Sequence, residues 1–261
     1  MVHRSRTLIA LLLTLGLVVL LLPAVVLASA VVPPAPAGSC IGTDACTGNT
    51  GSLQTNACVG DDACAFNAAS INKDACHGEA VCGGNTGAVG VGACIGFQAC
   101  SENSGTIARN ACHVETDLLG QTCDNNQGSV GEGACHGDIA CARNEGNVSA
   151  NSCHGGAACL DNSGAVGNGA CHGASACQDN TGTIAKNGCQ GGAACQFRSG
   201  PVAEGACVGE SACAHSGPFA IGKGACIGDR ACLCNPGPIK AGTCNGPPVG
   251  GVGVCEAGCG N

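Results

Sequence analysis

The stretch Cys94–Ala111, C-I-G-F-Q-A-C-S-E-N-S-G-T-I-A-R-N-A, is followed at once by Cys112 and a second copy of the same pattern. Shifted by eighteen residues, the chain keeps meeting itself as C-x-G-x-x-A-C-x-x-N-x-G-x-(V/I)-x-x-(G/N)-(A/S/G). The first cysteine of the pattern falls at Cys40, Cys58, Cys76, Cys94, Cys112, Cys135, Cys153, Cys171, Cys189, Cys207 and Cys226. A short fixed period marks a solenoid, in which each copy is one coil that hides its inner face only by stacking on its neighbours. The expectation is an all-β, single-domain β-solenoid, a parallel β-helix of about 11 coils with an internal disulfide ladder. The repeat alone leaves its handedness open.

Composition explains why such a body needs sulfur. The 261 residues include no Trp or Tyr and only four Phe, so a layered aromatic and aliphatic core is hard to assemble. The chain carries 45 Gly and 26 Cys instead, which points to a thin body of small side chains held by covalent staples. Ten cysteine pairs stand six residues apart: Cys40/Cys46, Cys58/Cys64, Cys76/Cys82, Cys94/Cys100, Cys135/Cys141, Cys153/Cys159, Cys171/Cys177, Cys189/Cys195, Cys207/Cys213 and Cys226/Cys232. Cys112 and Cys123 stand eleven apart, across the inserted loop H-V-E-T-D-L-L-G-Q-T. Strict register and an even count favour disulfides, and closing each short loop constrains the unfolded chain by about 2 kcal/mol. Pairing within a coil is the favoured arrangement; pairing between stacked coils is geometrically admissible too. Cys234, Cys244, Cys255 and Cys259 lie outside the pairs, with partners the sequence does not assign. Thiolate metal clusters call for C-x-x-C or C-x-C spacing, which only Cys232-Leu233-Cys234 approaches.

The ends set the compartment. Arg4 and Arg6 precede an apolar run from Leu8 to Leu22, and Ala28-Ser29-Ala30 is a small-x-small cleavage pattern, so residues 1–30 read as a signal peptide. Residues 31–39 read as a Pro/Ala-rich spacer, 40–234 as the cysteine-repeat solenoid, and 235–261 as a Pro/Gly/Cys-rich C-terminal cap. The product expected is secreted, extracellular, periplasmic or at the cell surface, with no membrane attachment after cleavage. Loss of the first thirty residues leaves 8 basic side chains against 18 acidic ones, a net charge of −10, which disfavours a nucleic-acid partner.

Within a coil, alternation assigns the faces. Asn103, Gly105 and Ile107 share one side of an extended segment, and Ser104 and Thr106 take the other. The aliphatic column of Ile107 should point inward, which buries the Asn103 column as well and calls for a coil-to-coil ladder of amides. Arg198 and Ser216 interrupt that column. His77, His113, His136, His154 and His172 follow the first cysteine of their coils. An exposed stripe of this kind is a candidate transition-metal site, with His136, His154 and His172 as the residues to hold an ion. The column also accepts Ile and Val, which is the behaviour of half-buried filler.

The C-x-x-x-x-x-C half of the coil resembles beetle antifreeze proteins, disulfide-braced β-solenoids that bind ice through a flat array of threonines. The resemblance implies an ice-binding face, whose counterpart here would be Thr50/Ser52, Ser104/Thr106 and Thr181/Thr183. The segment V-G-V-G-A-C-I-G-F-Q-A-C resembles the hexapeptide repeat of left-handed β-helices, a fold that includes acyltransferases with a loop histidine; His113 would be its counterpart. The whole unit is similar to cysteine-rich repeats in secreted proteins of algae and environmental bacteria. No Ser/His/Asp constellation, phosphate loop or cofactor motif accompanies these features. The function expected is that of a non-enzymatic structural, surface or adhesive rod, with ice binding and then metal binding as alternatives. No cap precedes the first coil, so end-to-end self-association is expected.

Overall fold

The computed structural model describes residues 35–114 and 120–246. Of the two compact units into which the chain divides, Met1–Pro33 and Pro34–Asn261, these residues belong to the second. The signal-peptide assignment, the inserted residues 115–119, and Cys255 and Cys259 therefore lie outside the described residues.

Among the described residues there is no helix and no strand longer than an isolated bridge. Two columns of parallel bridges join each repeat to the next. One follows the residue after the first cysteine, from Ile41↔Val59 to Val208↔Ile227, and the other follows the aliphatic column, from Leu53↔Ile71 to Ile221↔Ile239. Around Ile107 its own N–H donates to the carbonyl of Ala88 (2.9 Å) and its carbonyl accepts from Gly90 (2.8 Å), so backbone groups are satisfied in the neighbouring repeats rather than locally.

Left-handed backbone keeps these contacts from growing into strands. The first cysteine of every repeat has φ between 57° and 61°, from Cys40 to Cys244. The residue four positions later is also left-handed, as at Asp44, Gln98 and Ser175, and so is the one eight positions later, as at Phe66, Glu102 and Asp179. Each such non-glycine residue is held against a cost on the order of 1 kcal/mol, so the surrounding bonds must over-determine it. The glycine two residues after the first cysteine cannot be replaced: Gly60 has φ +135°, and a Cβ there would lie 2.1 Å from the carbonyl oxygen of Gly78. At the corner before the first cysteine, Gly92, Gly133 and Gly169 alternate with Asn110, Asn151 and Asn187. A Cβ on each of these glycines would come within 2.6–2.8 Å of the Oδ1 of the asparagine in the next repeat.

The interior is narrow, and sulfur crosses it once in each repeat. The bridges are Cys40–Cys46, Cys58–Cys64, Cys76–Cys82, Cys94–Cys100, Cys112–Cys123 and Cys135–Cys141 in the first half of the stack. Cys153–Cys159, Cys171–Cys177, Cys189–Cys195, Cys207–Cys213 and Cys226–Cys232 continue it. Each closes within its own repeat with a Cα–Cα distance of 5.5–5.9 Å, so the alternative of pairing between stacked coils is not adopted. The ladder is regular in connectivity. In the middle, sulfurs of adjacent bridges gather in threes within 4.8 Å, as Cys76, Cys82 and Cys94 do, and again through Cys141, Cys153 and Cys159. None of the 22 sulfurs is a free thiolate, so the close groups in the middle are cystines and offer a metal ion no anionic ligand.

Beside the bridges run the buried alanines that precede most of the cysteines and the aliphatic column Ile71, Val89, Ile107, Val130, Val148, Val166, Ile184, Val202 and Ile221. The Cys112–Cys123 bridge has the same span as the others, and Gln121 N–H donates to Phe97 O, so the insertion leaves the register intact.

The register reaches past Cys234 into the stretch read as a cap. Asn235 occupies the asparagine position, Ile239 bridges Ile221, Gly242 takes the corner, and Cys244 has the left-handed φ of a first cysteine. Proline and glycine at 236–238 replace side chains without displacing the backbone bonds. Cys234 and Cys244 are themselves disulfide-bonded.

Candidate functional site

Three columns carry the polar chemistry. The first is buried: Asn67, Asn85, Asn103, Asn126, Asn144, Asn162 and Asn180 are each 0% exposed. The Nδ2 of every member donates to the Oδ1 of the one before, starting from Asn67 to Asn49, at 2.7–2.9 Å. Its second hydrogen goes to the carbonyl two residues on, as from Asn103 to Gly105 (2.7 Å). An amide column one repeat apart is therefore self-satisfying, and this is the condition for burying it.

Arg198 stands where the next asparagine would. It is 1% exposed, and its guanidinium donates to Ser216 Oγ and Phe219 O (both 2.5 Å), Pro201 O (3.4 Å) and Gly217 O (3.5 Å), while Nε has no partner. No ion pair among the described residues involves it. Burial pushes its pKa down to about 10. The side chain thus fills the repeat that carries one extra residue, S-G-P-F-A-I, and gathers carbonyls there that an asparagine would not reach.

The second column is the histidine stripe. His113, His136, His154 and His172 stack at ring separations of 5.2, 4.8 and 4.7 Å, with interplanar angles of 15°, 5° and 2°. Each Nε2 contacts a carbonyl oxygen at the corner just before the first cysteine of the preceding repeat: Gly92, Asn110, Gly133 and Asn151, at 2.7–3.1 Å. A carbonyl only accepts, so each Nε2 carries the proton. Gln190 continues the column and makes the same bond to Gly169 O (2.8 Å). Desolvation holds His113 below the ordinary imidazole value, opposed by the Gly92 carbonyl and aided by the neighbouring His136. Rings stacked in parallel aim their nitrogens side by side, so the geometry does not converge His136, His154 and His172 on one ion. The stack likewise engages His113, the residue expected as an acyltransferase counterpart, in structural bonds.

The third column is the outer hydroxyl face. Thr50, Ser52, Ser104, Thr106, Thr181 and Thr183 are all exposed, with Gly51, Gly105 and Gly182 sunk between the members of each pair. The three pairs share one face but are not adjacent, being separated by repeats that carry Ala68/Ser70, Thr86/Ala88, Gln127/Ser129, Glu145/Asn147 and Ser163/Ala165. Ser70, Thr86 and Ser163 also belong to this face; extending the eighteen-residue period to every repeat would have found them. Ser52 Oγ donates to Ser70 Oγ (2.9 Å), a first sign that these hydroxyls bond along the column.

Residues 28–117, 118–190 and 179–258 each match the model of one family, described as Domain of unknown function (DUF7640). The chain belongs to the DUF7640 family. The first two DUF7640 matches meet inside the inserted loop, and the second and third overlap over 179–190, so one match spans several eighteen-residue repeats. A cysteine-rich repeat protein with a regular disulfide ladder is what the matches and the bridges together describe. No curated protein and no solved structure matches the chain.

Proposed function

We propose that this DUF7640 chain is a secreted, non-enzymatic structural or cell-surface protein: a β-solenoid rod, spacing or adhering, with disulfides in place of a large apolar core. The observation that carries it is the phase-locking of eleven bridges with the inter-repeat hydrogen bonds, each repeat being both stapled and paired. Cystines at this density belong to an oxidising compartment. The polar side chains best placed for chemistry are engaged instead in structural bonds, the asparagines with one another and the histidines with backbone carbonyls. Eleven repeats at about 4.8 Å imply a body roughly 55 Å long, and end-to-end association through the edge of the first repeat belongs to the same reading. The test is far-ultraviolet circular dichroism of the oxidised protein before and after complete reduction. Loss of the folded spectrum on reduction is expected, and a fully retained one would overturn the reading.

Ice binding is the second reading, favoured by the exposed pairs Thr50/Ser52, Ser104/Thr106 and Thr181/Thr183, which flank the half-buried Gly51 and the buried Gly105 and Gly182. It predicts thermal hysteresis that disappears in Thr181→Leu/Thr183→Leu. Under the leading reading neither protein shows any. Metal binding along the histidines predicts zinc or copper uptake lost on replacing His136, His154 and His172.

A further inference from the structure

The inner asparagines are followed two residues later by Gly or, at Asn67, by Ala, and the sequence contains a single Asn-x-Ser/Thr triplet, Asn147-Val148-Ser149. It lies on the outer hydroxyl face. Asn147 and Ser149 are exposed, whereas Gly146 and Val148 on either side of Asn147 are buried, so the asparagine is presented outward from a fixed segment of backbone. Its Oδ1 accepts the Ser129 N–H at 3.2 Å, an arrangement that turns Nδ2 away from the repeat below. The neighbours in its column, Ser129 and Ala165, are small. The contrast with the ladder asparagines is chemical: both Nδ2 hydrogens of Asn144 are engaged, by Asn126 Oδ1 and Gly146 O, and that side chain is fully buried.

We propose that Asn147 is an N-glycosylation site, accepting an oligosaccharide as the chain enters a secretory compartment. Nδ2 bonds to the anomeric carbon of a polyisoprenyl-diphosphate-linked oligosaccharide. The bond from that carbon to the diphosphate oxygen breaks, the lipid diphosphate leaves with the electron pair, and one Nδ2 proton is lost. Oδ1 is untouched, so the bond from Ser129 survives the modification. The glycan stands at the middle of the hydroxyl face, between Ser104/Thr106 on one side and Thr181/Thr183 on the other, and divides it. A bulky solvated group there prevents a flat solid surface, or a second rod, from lying along the whole face, while leaving the two ends of the stack accessible.

The inference rests on entry into a secretory pathway, so the test supplies that entry independently. The full chain, preceded by a secretion signal of a yeast host, is collected from the medium and its glycopeptides are mapped by mass spectrometry. Expected is a glycan on the Asn147 peptide, removable by a peptide N-glycosidase with conversion of Asn147 to aspartate, and absent from Ser149→Ala, which keeps Asn147 and its bond to Ser129. Secreted, disulfide-bonded protein with unmodified Asn147 would overturn the proposal. So would a glycan that persists on Ser149→Ala, or one carried instead by the corner residues Asn56, Asn110, Asn151 or Asn187, which precede x-Cys.

Discussion

From Asn49 to Asn180 every repeat places a neutral amide inside, whereas the two repeats after it place Arg198 and Ser216 there before Asn235 resumes. The amide column is uniform because each member is donor to one neighbour and acceptor from the other, so its length is set only by how many equal repeats are stacked. The Arg198 region is a local solution. One repeat there holds an extra residue, its carbonyls no longer face an Nδ2 at the regular spacing, and a long cation reaches them at the expense of an unpartnered Nε. The same narrow interior therefore tolerates either strict periodicity without charge or broken periodicity with one buried charge.

Removing an amide from the middle of the ladder should have the largest effect. Asn144→Leu orphans three groups: Asn126 Oδ1, the Gly146 carbonyl and one hydrogen of Asn162 Nδ2. At about 1–3 kcal/mol for each buried polar group left unpaired, the loss should be roughly 3–6 kcal/mol, read from denaturant unfolding of the oxidised protein. Asn49→Leu sharpens the point, because that amide is half-exposed and only one hydrogen of Asn67 Nδ2 and the half-buried Gly51 carbonyl depend on it. Water can replace the partner there, and a loss of about 1 kcal/mol is expected. Equal losses at the two positions would break the ladder account.

Next comes Arg198→Met, which should cost about 2–4 kcal/mol by leaving the Phe219 and Gly217 carbonyls and Ser216 Oγ without donors. The comparison makes a stronger demand. Arg198→Asn combined with Ser216→Asn and deletion of Phe219 restores the eighteen-residue period, and should recover wild-type stability or exceed it, since a buried cation has been exchanged for a self-satisfied ladder. If the triple variant is less stable than Arg198→Met alone, the cation is not a response to the insertion.

Much of this was legible in the sequence because the period is strict. Asn103 and Ile107 declare an inward face by sharing parity, and the spacing of Cys94 and Cys100 allows a bridge within one repeat. Other features were not legible because they depend on what lies one repeat away. The corner accepts Gly92 or Asn110 for a reason visible only when Asn110 Oδ1 is found above the missing Cβ. The stretch from Asn235 to Gly246 reads as pattern lost, yet the backbone bonds that define a repeat need only a few key positions, Asn235, Ile239, Gly242 and Cys244 among them. Ring stacking of the histidines and the Nε2 bond that fixes it likewise require the neighbouring repeat to be in place.

The smallest effect contrasts the histidine column with the glutamine that continues it. His113 is held below its ordinary value in the folded protein, chiefly by desolvation, with the nearby His136 acting in the same direction. The unfolded chain therefore binds the proton more readily, and stability rises with pH wherever the unfolded state binds more protons. The contribution is fully present above the unfolded imidazole value of about 6.5 and is lost as pH falls through the lower folded value. Gln190 shows that an amide makes the same bond to the preceding repeat without a titrating group. His113→Gln should accordingly leave the thermal midpoint unchanged at neutral pH and reduce its decline between neutral and mildly acid pH. Carboxylates such as Asp124, whose value burial raises, contribute the opposite slope and remain in both proteins, so the difference between the two profiles isolates the imidazole. A variant profile parallel to the wild-type one would mean that the stack is indifferent to charge, and that glutamine and histidine are interchangeable there merely as filler.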